Sequence, residues 1–331
     1  MRILVTGSSG QIGTNLALQL LHEGHQVIGV DRRPNPWTEQ IDTLIDDLRV
    51  TQPTSTGGLG RMPSKQPIDV VVHLAAYAKV HELVEYPERA LENVTMTFTM
   101  LEYCRHNRIP IILGSTREVY GNIQRDVTTE SDADFMIAES PYAASKIAGE
   151  SLVYAYARCY GLPFLVFRFS NVYGRYDTDL ERMERVIPLF MHKIRHQEPI
   201  TIYGQEKVLD FTYVDDCVAG ITAGIEMLVS GQDKNYTLNL AYGQGHTLAA
   251  LATYIGEALG TPPRMTFASA RAGEVTHYVA NIDRAHAVLH YTPRVPLAEG
   301  IKRAVAWSTE WGQQHQHKGV IGEDKGSSSS G

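Results

Sequence analysis

A chain of 331 residues, 43% of them hydrophobic, has the composition of a folded protein able to bury a sizeable core. Its 30 Lys and Arg against 37 Asp and Glu leave a net charge of -7 with no basic cluster, which argues against a nucleic-acid partner, because such binding rests on neutralising phosphates. No apolar run approaches the roughly 18 residues that cross a bilayer, no leader pattern follows Met1, and Cys104, Cys159 and Cys217 fit neither a disulfide framework nor a zinc site. A cytoplasmic protein without membrane segments or a metal, and with reduced thiols, is expected.

In chain order, Arg2 to Thr6, Gln26 to Asp31, Asp69 to Ala75, Pro110 to Ser115 and Phe164 to Phe169 are short, β-branched and nearly continuously apolar, as parallel strands buried on both faces must be. Helical segments lie between them. The clearest is Ile12 to Glu23, where Ile12, Leu16 and Leu20 recur every four residues and Gly24 supplies a stop. Alternation of strands and helices implies an α/β fold with a doubly wound parallel sheet. Thr51 to Pro67, rich in Gly, Pro, Ser and Thr, reads as a surface loop. After about residue 170 the rhythm changes. Helical Val186 to His196, Asp216 to Leu228, Leu248 to Leu259 and Leu297 to Trp311, with strands Ile200 to Tyr203 and Tyr236 to Leu240, suggest a smaller interleaved α/β lobe. The expected division is a sheet domain over 1–170 to which 210–240 return, a second lobe over 171–209 and 241–312, and a flexible tail over 313–331.

Between the first strand and the first helix lies Thr6-Gly7-Ser8-Ser9-Gly10-Gln11-Ile12-Gly13. Gly7 permits the tight turn, Gly10 lets backbone amides approach a pyrophosphate, and Gly13 lets helix and strand pack closely, the Rossmann-like arrangement for a dinucleotide. The helix N-terminus then offers unpaired N–H groups and a positive dipole end to phosphates. Asp31 ends the second strand, where a carboxylate accepts ribose hydroxyls and repels a 2′-phosphate, favouring NAD over NADP. Arg32 and Arg33 beside it leave two roles open, holding a 2′-phosphate or stacking on adenine.

Tyr142 and Lys146 stand four apart in Ser140-Pro141-Tyr142-Ala143-Ala144-Ser145-Lys146, so on a helix they share a face. A free phenol, with a pKa of about 10, is a poor base at neutral pH until cationic neighbours stabilise the phenolate. Lys146 and an oxidised nicotinamide would supply that stabilisation. Thr116 adds a hydroxyl at the end of the fourth clear strand, at the sheet edge where doubly wound folds place their ligands.

With these motifs the chain resembles the extended short-chain dehydrogenase/reductases, and among them the nucleotide-sugar epimerases, dehydratases and decarboxylases, from residue 1 to about 312. The likeness also includes Asp47-Leu48, His73-Leu74-Ala75-Ala76, Ser115 to Gly121, Arg168 to Gly174, Thr201 to Gly204, Asp210 to Asp216 and Arg271 to Glu274. It implies that Thr116, Tyr142 and Lys146 form the catalytic triad. It implies that Gly7, Gly10, Gln11, Ile12, Gly13, Asp31, Arg32, Asp47, Leu48, Leu74, Ala75, Ala76 and Asn93, with Tyr142 and Lys146, serve NAD. For the nucleoside diphosphate of a UDP-linked sugar it implies Asn171, Val186, Ile187, Tyr203, Arg271 and Glu274, with Thr116 at the sugar. Arg271 offers a planar fork to a diphosphate and Tyr203 a face to a pyrimidine. One departure stands out: Leu209 occupies a position where the family usually carries Arg, with Lys207 or Arg175 as candidates to replace the charge. A homodimer through a two-fold helix bundle is likewise implied by the resemblance.

The residues after Thr116 bear on the reaction. Arg117 stands where sugar 4,6-dehydratases carry an acidic Asp, and a guanidinium keeps its proton at neutral pH, which argues against 4,6-dehydration. Glu118 is a further candidate catalytic group, shared with UDP-glucuronate decarboxylases; their Arg would fall near Tyr278, and Arg284 is the nearest one downstream. The plain alternative for Glu118 is a carboxylate that braces the site. The favoured expectation is an NAD-dependent 4-epimerase of a UDP-hexose or UDP-hexuronate working through a 4-keto intermediate, ahead of a UDP-glucuronate decarboxylase or other 4-keto-forming enzyme, and ahead of a non-catalytic NAD-binding regulator. Simpler roles are expected elsewhere: His315 and His317 in a solvated stretch, Asp215-Asp216 as an N-cap pair, and Tyr154 and Tyr156 in packing.

Overall fold

Aliphatic runs become strands here because helices cover both faces of the sheet: Val70, Val71 and Val72 are fully buried, as are Ile111 and Ile112. The computed structural model describes residues 1–50, 67–122, 125–134, 138–177, 185–231, 235–270 and 275–319. In chain order it begins with β1 (Arg2–Thr6), α1 (Gln11–His22), β2 (Gln26–Asp31), β3 (Thr43–Ile45), β4 (Val70–His73), α2 (Val80–Glu85), α3 (Glu88–Asn107), β5 (Ile111–Thr116), α4 (Pro141–Tyr160) and β6 (Phe164–Phe169). Then β7 (Asn171–Tyr173), α5 (Val186–Arg195), β8 (Ile200–Tyr203) and β9 (Val208–Tyr213) leave the sheet, and α6 (Val214–Ser230) and β10 (Tyr236–Leu240) return to it. The chain closes with β11 (Gly245–Thr247), α7 (Leu248–Leu259), β12 (Met265–Ala268), β13 (His277–Tyr278), α8 (Asp283–Leu289) and α9 (Leu297–Gly319).

The large sheet has seven strands in the order β10-β6-β5-β4-β1-β2-β3, with every neighbouring pair parallel. This is the doubly wound, Rossmann-like α/β arrangement. The order reverses between β1 and β4, the switch point at which such sheets open a crevice beyond their C-terminal strand ends. A four-stranded group, in which β9 pairs with β7, β11 and β13, and a two-stranded pair of β8 and β12 build the smaller lobe.

Three details differ from the sequence expectation. The return to the large sheet begins with α6 and not at residue 210, because β9 is paired with β7, β11 and β13 of the smaller group and not with the large sheet. The last helix runs to Gly319, beyond the expected start of the tail at 313; positions 320–331, like the 51–66 part of the expected loop, lie outside the described residues. Asp215 and Asp216 do not cap α6, whose N-cap residue is Tyr213. Asp216 instead accepts the backbone N–H groups of Arg294 and Val295 at 2.8 and 2.9 Å, tying the approach to α9 to α6, and Asp215 pairs with Arg175 at 2.5 Å.

Helix α4 is locked to the sheet by a buried ion pair. Arg168 on β6 meets Glu150 at 2.7 Å with both side chains 7% exposed, and Ser115 on β5 donates to the same carboxylate at 2.5 Å. Removing one partner strands the other charge in the core, which costs far more than the net worth of the pair. Arg168→Met should therefore lower the unfolding free energy by about 3–5 kcal/mol in a urea titration; a loss below about 1 kcal/mol would show that Glu150 finds compensation elsewhere.

Candidate active site

At the C-terminal edge of the sheet the first turn is built for a close approach. Gly7 takes φ +72°, and a Cβ there would sit 2.8 Å from the Ala75 nitrogen; a Cβ on Gly13 would fall 2.1 Å from the Gly7 oxygen. Gly10 begins α1 with no side chain capping it, so the unpaired amides of the first helical turn face the crevice. The neighbouring strand end is pinned by His73, whose Nδ1 lies 2.7 Å from the Thr6 hydroxyl. Burial pushes this imidazole down to about 3, so it stays neutral and structural.

A cleft of about 600 Å³ opens above these elements. Gly7, Gly10, Gln11, Ile12 and Gly13 form its floor, and Asp31, Arg32, Asp47 and Leu48 line it on one side, with Leu74, Ala75 and Ala76 also at its wall. Asp31 accepts the Ser9 and Arg33 backbone N–H groups at 3.1 and 3.2 Å. Arg32 donates to the Tyr77 hydroxyl at 2.8 Å and lies over that ring, 4.9 Å from its centroid. Asp47 is bound by Arg49, whose hydrogen bonds hold its carboxyl below the usual range. Asn93 is not on the wall. It is buried and grips the Tyr77 backbone at both ends, 2.8 Å from N–H and 3.1 Å from C=O, while donating to Ser145 on α4. It positions the wall and does not touch the cavity.

Thr116, Tyr142 and Lys146 converge on the same cleft. Ser140 caps α4 by accepting the Ala143 N–H, and Pro141 pre-sets the first turn, so Tyr142 and Lys146 project from the helix beginning toward the end of β5. Thr116 accepts the Glu118 N–H at 3.3 Å. Burial pushes the Tyr142 phenol up to about 12, and the nearby Thr116 hydroxyl opposes the rise. Lys146 Nζ donates to the Gly114 carbonyl at 2.8 Å and lies over the Tyr142 ring, 6.0 Å from its centroid. Burial pushes the ammonium down to about 8, and Glu150, one turn further along α4, opposes that shift. Glu118 is buried, lines the cleft and meets Arg117 at 2.9 Å.

From the second lobe, Asn171, Val186, Ile187 and Lys207 reach the cleft. Asn171 is steadied by donating to the Asp210 carbonyl at 2.8 Å. Tyr203, at the end of β8, is not among the residues lining the cavity, and Arg271 and Glu274 lie outside the described residues. Of the two candidates to replace the charge missing at Leu209, Lys207 lines the cleft, whereas Arg175 is turned to Asp215 and Asn15. The sequence pattern alone did not single out Arg185. It donates to Gln11, Asp177 and the Val172 carbonyl at 2.6–2.8 Å, joining the glycine turn to the second lobe. Its signal was a cation immediately before the Val186-Ile187 segment. Tyr154 and Tyr156 keep to packing, their hydroxyls bonded to Thr237 at 2.6 Å and Glu102 at 2.7 Å.

Known proteins share this architecture. Residues 3–241 match the model of the NAD dependent epimerase/dehydratase family. The chain is 30% identical over 320 residues to a Bacillus subtilis protein described as an uncharacterized UDP-glucose epimerase, YtcB, covering 93% of this chain and 98% of that one. Among solved structures it is similar to the UDP-glucose 4-epimerase of Thermotoga maritima with UDP-glucose, with a TM-score of 0.83, 27% identity, and coverage of 94% of this chain and 99% of that one. It is also similar to the UDP-glucuronic acid 4-epimerase of Bacillus cereus in complex with UDP-glucuronic acid and NAD, with a TM-score of 0.81, 25% identity, and coverage of 94% and 100%. Together with the glycine turn and the Thr116, Tyr142 and Lys146 cluster, the match over residues 3–241 places the chain in the NAD-dependent epimerase/dehydratase family.

Proposed function

We propose that the protein is an NAD-dependent 4-epimerase of a UDP-linked hexose or hexuronate, acting through a 4-keto sugar. The convergence of Thr116, Tyr142 and Lys146 on a cleft floored by the glycine turn carries this reading. The residues present suit NAD: Gly7 and Gly13 leave no room for a side chain where the backbone turns, the α1 amides are open to a diphosphate, and Asp31 stands at the end of β2 where a ribose would lie. Bound there, NAD supplies the hydride acceptor and donor and a positive charge beside the phenol.

Tyr142 is the base that takes the sugar O4 proton and returns it after the ketose has turned over in the cleft. The Thr116 hydroxyl favours the phenolate of Tyr142. Lys146, held on the Gly114 carbonyl with its Nζ over the Tyr142 ring, contributes its charge to the phenol. The family resemblance and the exposed apolar residues of α3, Leu91 at 72% and Phe98 at 45%, support a homodimer in which this helix is covered by its counterpart. A cytoplasmic location accords with a nucleotide-sugar substrate.

Incubation with UDP-glucose, UDP-N-acetylglucosamine and UDP-glucuronate, followed by mass spectrometry and separation of stereoisomers, should yield a product of unchanged mass and new configuration. Loss of CO₂ would mean a decarboxylase, loss of water a dehydratase, and no change with any donor a nucleotide-binding regulator. Tyr142→Phe should lower turnover by about 10²–10⁴-fold while NAD still binds in calorimetry; retained turnover would remove the phenol from its role. Asp31→Ala should narrow the preference for NAD over NADP, and an unchanged preference would detach Asp31 from the ribose. Phe98→Glu should shift the protein to monomers in sedimentation experiments; a persisting dimer would place the interface elsewhere.

A further inference from the structure

Arg185 is the N-cap residue of α5, and the two residues after it, Val186 and Ile187, line the second-lobe side of the cleft. Gln11 is the first residue of α1, at the turn whose open amides face the cofactor position. The two are 174 positions apart in the chain, yet Arg185 Nη1 donates to Gln11 Oε1 at 2.8 Å. One side-chain bond thus ties the start of the cofactor helix to the start of the helix that opens the other half of the site. Two further bonds fix the guanidinium: Nη1 meets Asp177 at 2.6 Å and Nη2 donates to the Val172 carbonyl at 2.7 Å. On the other side of the tie, Gln11 Nε2 is buried with no partner among the described residues, so the Arg185 bond sets the direction of the Gln11 side chain. The Arg185 side chain is 39% exposed and lines the cleft, so its charge is not sealed in the core. The lobes are also held by Trp37, which follows β2 and packs against Tyr176, Trp307 and Trp311 with ring centroids 5.0–5.8 Å apart. Loss of Arg185 therefore does not part them.

A dinucleotide and a nucleotide sugar each carry a diphosphate, and two such anions in one cleft repel each other. A cation fixed between the two helix starts offsets that repulsion, and a planar fork with several donors holds its place better than a single ammonium. We propose that Arg185 is a positioning residue that couples the two halves of the site, so that NAD at the glycine turn and a nucleoside diphosphate in the second lobe each raise the affinity for the other. This rests on the nucleotide-sugar reading and adds a linkage between its two ligands. NAD seated on α1 orders Gln11, and through Gln11 it orders Arg185 and the start of α5. By the reciprocity of binding free energies, a nucleotide seated against α5 strengthens the hold on NAD by the same factor.

The test measures the NAD dissociation constant by calorimetry, with and without saturating UDP, in wild type, Arg185→Met, Arg185→Lys and Gln11→Met. In wild type, UDP should tighten NAD binding by about 5- to 150-fold. Arg185→Met should bring that ratio to about 1, and Arg185→Lys should keep part of it, because an ammonium retains the charge but not the fork. Gln11→Met, which leaves the guanidinium on Asp177 and Val172, should lower the ratio partway, and adding it to Arg185→Met should change nothing further. A merely structural defect weakens NAD binding equally with and without UDP and leaves the ratio in place. A ratio of about 1 in wild type, or the wild-type ratio in Arg185→Met, would overturn the coupling while the 4-epimerase reading stands. Should Arg185→Met fail to fold, Gln11→Met carries the test, and an undiminished ratio there overturns the proposal. If wild type does not bind UDP at all, the nucleotide-sugar reading falls as well.

Discussion

The buried pair between Glu150 and Arg168 is the interaction on which the site depends. It fixes α4 against β5 and β6, and Ser115, immediately before Thr116, donates to the same carboxylate. Helix and strand end are thereby joined through one charged group, so Tyr142 and Lys146 cannot slide relative to Thr116 without breaking a core ion pair. The same carboxylate lies one turn from Lys146 and opposes the effect of burial on its ammonium. One group thus serves packing, register and electrostatics.

Burial drives both members of the tyrosine and lysine pair toward their neutral forms, the phenol up and the amine down. The Thr116 hydroxyl pulls the phenol back, and Glu150 pulls the amine back. Lys146 is directed at a backbone carbonyl, so its influence on Tyr142 is the field of a charge at some distance and not a hydrogen bond. A phenol held in this state needs additional positive charge before it ionises to the phenolate that can take a proton, and the cleft places the dinucleotide turn and the triad on the same edge. Chemistry at O4 is therefore coupled to occupancy of the cofactor position.

Much of this was legible in the residues. The strand at Val70–His73 announced itself by unbroken β-branched burial, α1 by its four-residue repeat, and the cofactor turn by glycines whose Cβ atoms would collide with backbone. Asp216 was misread because an acidic pair before an apolar helix looks like a cap; its real partners, the amides of Arg294 and Val295, are far along the chain. Arg185 was passed over for a related reason, since its partners Gln11 and Val172 come from separate parts of the chain. Asn93 looked like a contact residue, yet its amide spans α3, the Tyr77 segment and α4 without reaching the cavity.

Local periodicity, turn chemistry and residue type by themselves determined the parallel sheet, the dinucleotide turn and the tyrosine and lysine pair, because each depends on neighbours a few positions away. Tertiary structure alone decided which charges are satisfied. Whether Lys207 or Arg175 faces the cleft, and where the Lys146 ammonium points, are set by partners brought together from distant segments, and no spacing in the chain encodes those distances.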